Sequence, residues 1–352
     1  MSAGGEPTAA KLRAPAPRAA VEPLAAPPSF SVVVPTFEAA ATIAETVESV
    51  LAQSPGPREV IVVDDGSRDA IEQALAPFGS RIRLLRQAEN RGVAAARNAG
   101  LRECSGDFVL VVDADDVLLP GRIAALGLLG RERPDLDLLC TDVFFEADGS
   151  RQGRFYEQNP FPLRDQRRAI LERCFPIHPA ARRTRLSEIG GFDESLRTAE
   201  DWDCAIRLVL GGSLVGLYDE PLELYRIHAG SLSDSRRDTL RDRVQMLEKV
   251  RSNPDLRGEE HPALEAALTS DRLRATLAAA QEALAEASPD ARRQGLELAR
   301  LRNASLRDRI WGLALFALPR RWRPLLRRRQ GSLSQLKRLL PGTKGGAGSG
   351  RP

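Results

Sequence analysis

Residues 29–235 of this 352-residue chain read as an α/β domain built on a largely parallel sheet, followed by a helical C-terminal extension. Two observations predict the sheet. Short, apolar, β-branched runs alternate with stretches of helical spacing, the pattern of strands joined by crossover helices. Three of those runs also stop abruptly on polar residues, at Pro35-Thr36, Asp64-Asp65 and Asp113-Ala114-Asp115. The carboxyl ends of parallel strands are where open α/β sheets bind ligands.

The elements follow in order. Phe30 to Val34 is an apolar run halted by Pro35, which predicts a buried strand. Ala39 to Gln53 carries Ile43, Val47, Val50 and Leu51 at helical spacing. Glu59 to Val63 gives a second strand, Ala70–Leu75 a short helix and Arg81–Leu85 a third strand. Gly92 to Arg102 is a helix of small residues, and Asp107 to Val112 a fourth strand ending at Asp113. A further helix is expected from near Pro120, and another over Trp202–Leu210.

Composition bounds the remainder. With 42% hydrophobic and 28% charged residues the chain is neither a coiled coil nor wholly disordered. Ala and Pro dominate residues 1–28, which predicts a disordered leader without the apolar core of a signal peptide. Ala, Leu, Glu and Arg dominate the helical region 236–340, and residues 341–352 form a Gly-rich tail expected to be disordered. The four cysteines, Cys104, Cys140, Cys174 and Cys204, are scattered and suit reduced thiols. No apolar stretch approaches the length that spans a bilayer, so the default compartment is the cytoplasm.

The chemistry collects at the strand ends. Asp113, Asp115 and Asp116 directly follow apolar residues, and carboxylates crowded there repel one another unless a cation offsets them. Hard oxygen donors of this kind suit Mg²⁺ or Mn²⁺ shared with phosphate. The competing reading is a solvated loop that caps the next helix. Asp64-Asp65-Gly66-Ser67 is equally either a turn with an N-cap or a carboxylate pair facing a nucleoside.

Together, Ser31-Val-Val-Val-Pro-Thr-Phe-Glu38, Val60-Ile-Val-Val-Asp-Asp-Gly-Ser67, Asn90-Arg-Gly-Val-Ala-Ala-Ala-Arg-Asn-Ala-Gly100 and Gly106-Asp-Phe-Val-Leu-Val-Val-Asp-Ala-Asp-Asp116 closely resemble family 2 glycosyltransferases of the GT-A fold. The likeness continues through Gly190-Gly-Phe-Asp-Glu194, Glu200-Asp-Trp-Asp203 and Tyr225-Arg-Ile-His-Ala-Gly-Ser231. It implies a nucleotide-diphosphate sugar as donor, a UDP-sugar foremost, and a divalent metal, Mn²⁺ or Mg²⁺. Pro35, Thr36, Glu38, Asp64 and Asp65 would border the nucleotide, and Arg97 would reach it or its phosphates. Asp113 and Asp115 would be the D-x-D pair that binds donor and metal, with His228 completing the metal site and Asp116 a ligand or a neighbour.

Asp201 would be the catalytic base of an inverting transfer, removing the proton of the attacking acceptor hydroxyl. On bare sequence, Glu200-Asp201 is also the acidic first turn of a helix. His178 would line the acceptor side or pack. The Gln-x-x-Arg-Trp run of processive synthases is missing, which implies one sugar per encounter. The expected acceptor is a glycan or lipid-linked hydroxyl in bacterial envelope assembly; no nucleic-acid partner is expected. Residues 305–329 set an apolar run among arginines, suiting either a packed helix or peripheral contact with the inner face of the plasma membrane. The alternatives are a metal-dependent nucleotidyltransferase and a non-catalytic nucleotide-binding scaffold of the same fold.

Overall fold

The computed structural model describes residues 7–147, 149–227, 236–286, 288–301 and 303–317. The chain divides into two compact units, residues 1–234 with 246–264, and residues 235–245 with 265–352. The first unit begins with β1 (Leu12–Arg13), β2 (Phe30–Thr36), α1 (Ile43–Leu51), β3 (Glu59–Asp64), α2 (Ile71–Leu75) and β4 (Arg83–Arg86). Next come α3 (Val93–Glu103), β5 (Phe108–Val111), β6 (Val117–Leu118), α4 (Arg122–Glu132), β7 (Leu138–Ala147) and β8 (Ser150–Arg154). It continues through α5 (Phe155–Gln158), α6 (Gln166–Glu172), β9 (Ala180–Arg182), α7 (Arg183–Glu188), α8 (Glu200–Leu210) and β10 (Val215–Ile227). The division between units falls within α9 (Arg236–Val250) and α10 (His261–Ala285).

Among the described residues, ten strands form one mixed sheet in the order β1-β10-β7-β9-β5-β2-β3-β4, with β6 on β10 and β8 on β7. The pairs β5–β2, β2–β3 and β3–β4 are parallel, as are β7 and β10. Three-residue β9 runs against both β5 and β7 and separates the two parallel groups. The chain leaves β2 for β3 and β4 on one side, then returns to β5 on the other. β2 therefore stands at a topological switch point, where the carboxyl ends open a crevice.

Every residue of β2 is buried, because helices cover both faces of the central sheet. Val32, Val34, Ile43, Val47, Val62, Leu110 and Leu126 share one core. On the other face α3 lies unusually close. A Cβ at Gly100 would sit 2.4 Å from Val33 Cγ1, which explains the run of Ala and Gly in this helix. Gly66 turns the chain after β3 at φ +78°, and a Cβ there would meet the backbone of Glu89 and Asn90 within 2.9 Å.

Where composition predicts a disordered leader, residues 7–28 follow a defined path. Leu12 and Arg13 pair with Tyr218 and Leu217 of β10, and Leu12 packs against the core. Ala/Pro-rich composition lowers the apolar surface available, but one well-placed leucine and an open sheet edge are enough to hold the segment. The expected tail, residues 341–352, and the segment around His228 lie outside the described residues.

In the second unit α11 (Ala291–Arg300) and α12 (Leu306–Ala317) cross at paired glycines: a Cβ on Gly295 would come 2.6 Å from the Gly312 carbonyl oxygen. Leu284, Ala280 and Leu315 are buried against Trp311. Leu306, Ile310, Leu313 and Phe316 are exposed; their spacing puts them on one stripe of α12.

Candidate active site

The adjacent ends of β2, β3 and β5 bring the polar residues together. Thr36 is in register with Asp64, the Asp65 amide donates to the Thr36 carbonyl at 2.8 Å, and the Val112 amide donates to the Val33 carbonyl at 3.0 Å. Asp64 Oδ1 accepts from the Ser67 amide at 2.8 Å. Both oxygens of Asp65 accept backbone amides, from Arg91 at 2.9 Å and Gly92 at 2.8 Å. Asp65 therefore ties the end of β3 to the start of α3. Beside it the Glu38 amide donates to Ser67 Oγ at 2.9 Å, and the Glu38 carboxylate accepts from the Arg68 amide at 2.9 Å. Pro35 and Thr36 are buried at the same edge, and the Thr36 hydroxyl has no protein partner.

Arg97, on α3, joins β5 to α8. Its guanidinium donates to Asp113 Oδ1 at 3.0 Å and to Glu200 Oε1 at 2.5 Å, with only 8% of its side chain exposed. Burial alone would raise the Asp113 carboxyl, but Arg97 and then His178 outweigh it and hold the group below its ordinary range. Glu200 behaves oppositely: burial, aided by Asp201 and opposed by Arg97, pushes it up to about 7. Asp201, one position on, is exposed on the first turn of α8. Its Oδ1 accepts the Trp202 amide at 2.7 Å, and its side chain faces the same cleft as Arg97, Asp113 and His178.

Beneath Asp113 lies a buried charge cluster that local sequence does not announce. His178 Nδ1 is 2.9 Å from Glu223 Oε1 and 3.7 Å from Asp116 Oδ2, and its Nε2 is 4.0 Å from Asp113 Oδ2. Arg122 pairs with Glu223 and donates to the His178 carbonyl at 2.9 Å. Neither Arg122 nor Glu223 is exposed to solvent. Burial would lower the His178 imidazole, but Glu223, Asp116 and Asp113 together raise it to about 10. Burial and the neighbouring Glu223 hold Asp116 well above the usual carboxylate range, while its Oδ1 accepts the Arg226 amide at 2.9 Å.

Atoms of Asp113, Asp116 and His178 lie within 4.8 Å of one another, so oxygen and imidazole donors suited to Mn²⁺ or Mg²⁺ are assembled. Within this set the exposures differ: Asp113 keeps 34% of its side chain open, against 3% for Asp116 and 15% for His178. Asp115 is half-buried at the same loop. Asp113 is thus the member of the set that solvent reaches most. The carboxylate–imidazole cluster beneath approaches Asp113 through His178 Nε2 at 4.0 Å. The donor set fits a divalent cation.

Four described non-glycine residues have positive φ: Glu38, Asp165, His178 and Ala199. Three of them flank the site, at the end of β2, under Asp113 and immediately before Glu200. Such strain persists where the surrounding structure over-determines the backbone, and it clusters at ligand sites.

The expected residues Pro35, Thr36, Glu38, Asp64, Asp65, Arg97, Asp113, Asp115 and Asp201 all lie at this carboxyl edge or around its cleft. His228 falls outside the described residues. His178, Glu223 and Arg122 carry no motif of their own, and nothing local in the motifs that hold Arg97 and Glu200 announces that the two pair. The one local hint was the prolines on both sides of Ile177-His178, which mark a constrained backbone.

The fold is that of the GT-A glycosyltransferases. Staphylococcus aureus TarS 1–349, solved with UDP-GlcNAc, matches over 86% of this chain and 92% of its own at a TM-score of 0.60 and 20% identity. The mannosyltransferase PcManGT of Pyrobaculum calidifontis, solved with GDP-Man and Mn²⁺, matches over 90% and 89% at a TM-score of 0.57 and 21% identity. Identities this low speak for the fold alone. By sequence, the family model described as Glycosyl transferase family 2 matches residues 31–190.

The O-antigen biosynthesis protein RfbC of Myxococcus xanthus is 33% identical over 64% of this chain, though the match spans only 18% of RfbC. A PGL/p-HBAD biosynthesis glycosyltransferase of Mycobacterium tuberculosis is 31% identical over 55% of this chain and 74% of its own length. The chain belongs to glycosyl transferase family 2. Membership in a glycosyltransferase family speaks against the nucleotidyltransferase alternative. Among the described residues no helix is long and apolar enough to cross a membrane, and none of the four cysteines is in a disulfide, three of them being buried.

Proposed function

We propose that the protein transfers a sugar with inversion from a nucleotide-diphosphate donor, a UDP-sugar foremost, to an acceptor hydroxyl. The observation that carries this reading is the convergence of Arg97, Asp113 and Asp201 on one cleft at the carboxyl edge of the sheet. Thr36, Glu38, Asp64 and Asp65 border the nucleotide half. Arg97 and Asp113 hold the donor beside it, fixed to each other at 3.0 Å. Asp113 and Asp115, with His228 as third ligand, would hold a divalent metal, whose Lewis-acid charge would offset the charge growing on the departing diphosphate. Asp201 removes the acceptor's hydroxyl proton as that oxygen bonds to the anomeric carbon; the carbon–oxygen bond to the diphosphate breaks, and the nucleoside diphosphate leaves with the electron pair. Glu200 is unsuited to that task because it is buried against Arg97.

Relatives such as RfbC support a place in surface-glycan assembly, with a glycan or lipid-linked acceptor. The exposed apolar stripe of α12 supports peripheral contact with an anionic membrane face. The test is product analysis with purified full-length protein, Mn²⁺ and a panel of nucleotide sugars. Nucleoside diphosphate is the expected product, and pyrophosphate would exclude the reaction. Asp201→Asn is expected to cut turnover by about 10²–10⁴-fold while nucleotide affinity is retained; unchanged turnover would remove Asp201 from the mechanism.

A further inference from the structure

Past its charged mouth the cleft continues between the sheet and α8. Its cavity volume is about 60 Å³. Arg97, Asp113, His178 and Asp201 stand at the entrance, while the deeper wall is Val109 and Val111 of β5, Leu138 of β7, Ala181 of β9, and Cys204 and Leu208 of α8. We propose that this wall receives a methyl-terminated substituent of the transferred sugar, either the methyl of an acetamido group or that of a 6-deoxy position, and thereby selects the donor. The inference rests on the glycosyltransferase reading of the mouth.

The argument is one of polar bookkeeping. A hydroxylated ring presents donors and acceptors on every edge, and each one buried without a partner loses its water for nothing in return. At the mouth those partners exist in Arg97, Asp113 and Asp201. On the wall they do not. Val109, Val111, Leu138, Ala181 and Leu208 offer no polar side-chain atom, and Pro176 and Pro179 nearby have no N–H. The most polar group there, the Cys204 thiol, is kept neutral because burial pushes it up to about 12. The sugar edge turned toward Asp113 and Arg97 must therefore be hydroxylated, and the edge turned inward must not be. A sealed core would pack Leu208 and Ala205 directly onto β5. Here a cavity lies between them, and Arg97, Asp113 and Asp201 line it too.

The experiment uses the full chain with Mn²⁺ and measures affinity by calorimetry, so no acceptor is needed. UDP, GDP and dTDP are titrated first, then matched donors on whichever nucleotide binds: N-acetylhexosamine against hexose, and 6-deoxyhexose against hexose. One methyl-bearing donor is expected to bind about 10- to 200-fold more tightly than its hydroxylated match, the range a methyl-sized difference gives in an apolar pocket. The two pairs separate the acetamido from the 6-deoxy source. Ala205→Leu, which fills the pocket, is expected to bring that ratio to near one while the bare nucleoside diphosphate still binds. Equal or better binding of the hydroxylated donors by the unaltered protein overturns the pocket assignment and leaves the glycosyltransferase reading standing. Failure of every nucleoside diphosphate to bind overturns that reading, and the pocket with it.

Discussion

Glu200 and Asp201 are neighbours in sequence with opposite surroundings. Asp201 is open to the cleft, whereas Glu200 is 5% exposed against Arg97. Burial, Asp201 and Asp113 raise Glu200 and Arg97 lowers it, for a net value of about 7. The folded value lies above the ordinary 4.5, so the folded chain holds a proton that the unfolded chain releases. Stability from this group is full below about pH 4.5 and is lost as pH rises through about 7. Glu200→Gln is therefore expected to flatten the dependence of Tm on pH across that window, a change read by thermal melts at fixed ionic strength. An unchanged slope would mean that Glu200 titrates normally. Glu223 poses the larger energetic question. Glu223→Ala leaves Arg122, with no exposed surface, as an uncompensated buried charge, at an expected cost of about 3–5 kcal/mol by denaturant unfolding. The pair Arg122→Met with Glu223→Leu is expected to recover most of it, because apolar side chains of similar volume avoid the desolvation penalty.

Helix α3 sets where Arg97 stands, and Gly100 sets where α3 stands. The close contact with Val33 and Val63 lets the helix approach β2 and β3 so that Arg97 reaches both Asp113 and Glu200. Gly100→Val would force the helix outward or Val33 off its rotamer, for an expected loss of about 1–3 kcal/mol. Because Arg97 moves with α3, donor affinity falls with it. An equal substitution on the exposed side of the helix, Arg102→Val, is expected to leave that affinity intact. Equal losses from both variants would refute the close-packing account. α8 plays the complementary part: a positive φ at Ala199 turns the chain sharply so that Glu200 points inward and Asp201 faces the cleft.

The two units differ in surface character. The first carries the acidic strand ends and the cleft; the second presents Leu306, Ile310, Leu313 and Phe316 to solvent on α12, and a dense run of arginines follows it in the sequence, from Arg320 to Arg329. An apolar stripe next to basic residues fits the interface of an anionic bilayer. The full chain is expected to float with vesicles containing phosphatidylglycerol and not with neutral phosphatidylcholine vesicles. The double variant Ile310→Glu, Phe316→Glu alters only exposed positions and is expected to abolish flotation. No flotation with anionic vesicles would rule the membrane contact out, flotation that survives the variant would rule out the α12 stripe as its site, and flotation that ignores vesicle charge would rule out the anionic preference.

The period of apolar residues and the residues that stop each run were enough to locate β2, β3, β4, β5, α1, α3 and α8 to within a few positions, and to collect Thr36, Asp64, Asp65, Asp113 and Asp115 at one edge. Strand and helix periods are local properties, and a ligand site at strand ends follows from them. Residues 138–185 resisted the same treatment. There short strands and helices alternate without a clear period, and β9 lies between β5 and β7 only because distant segments complete the sheet. The Arg97–Glu200 pair joins residues 103 apart, and His178 meets Glu223 across 45. Which buried charge offsets which is decided by strand order and by the approach of α3 and α8. Sequence thus determined the family, the strands and the acidic edge. Only the tertiary structure decided that His178, Glu223 and Arg122 lie beneath Asp113, that the leader borders β10, and that the cleft ends in an apolar wall, because each depends on contacts that no local pattern encodes.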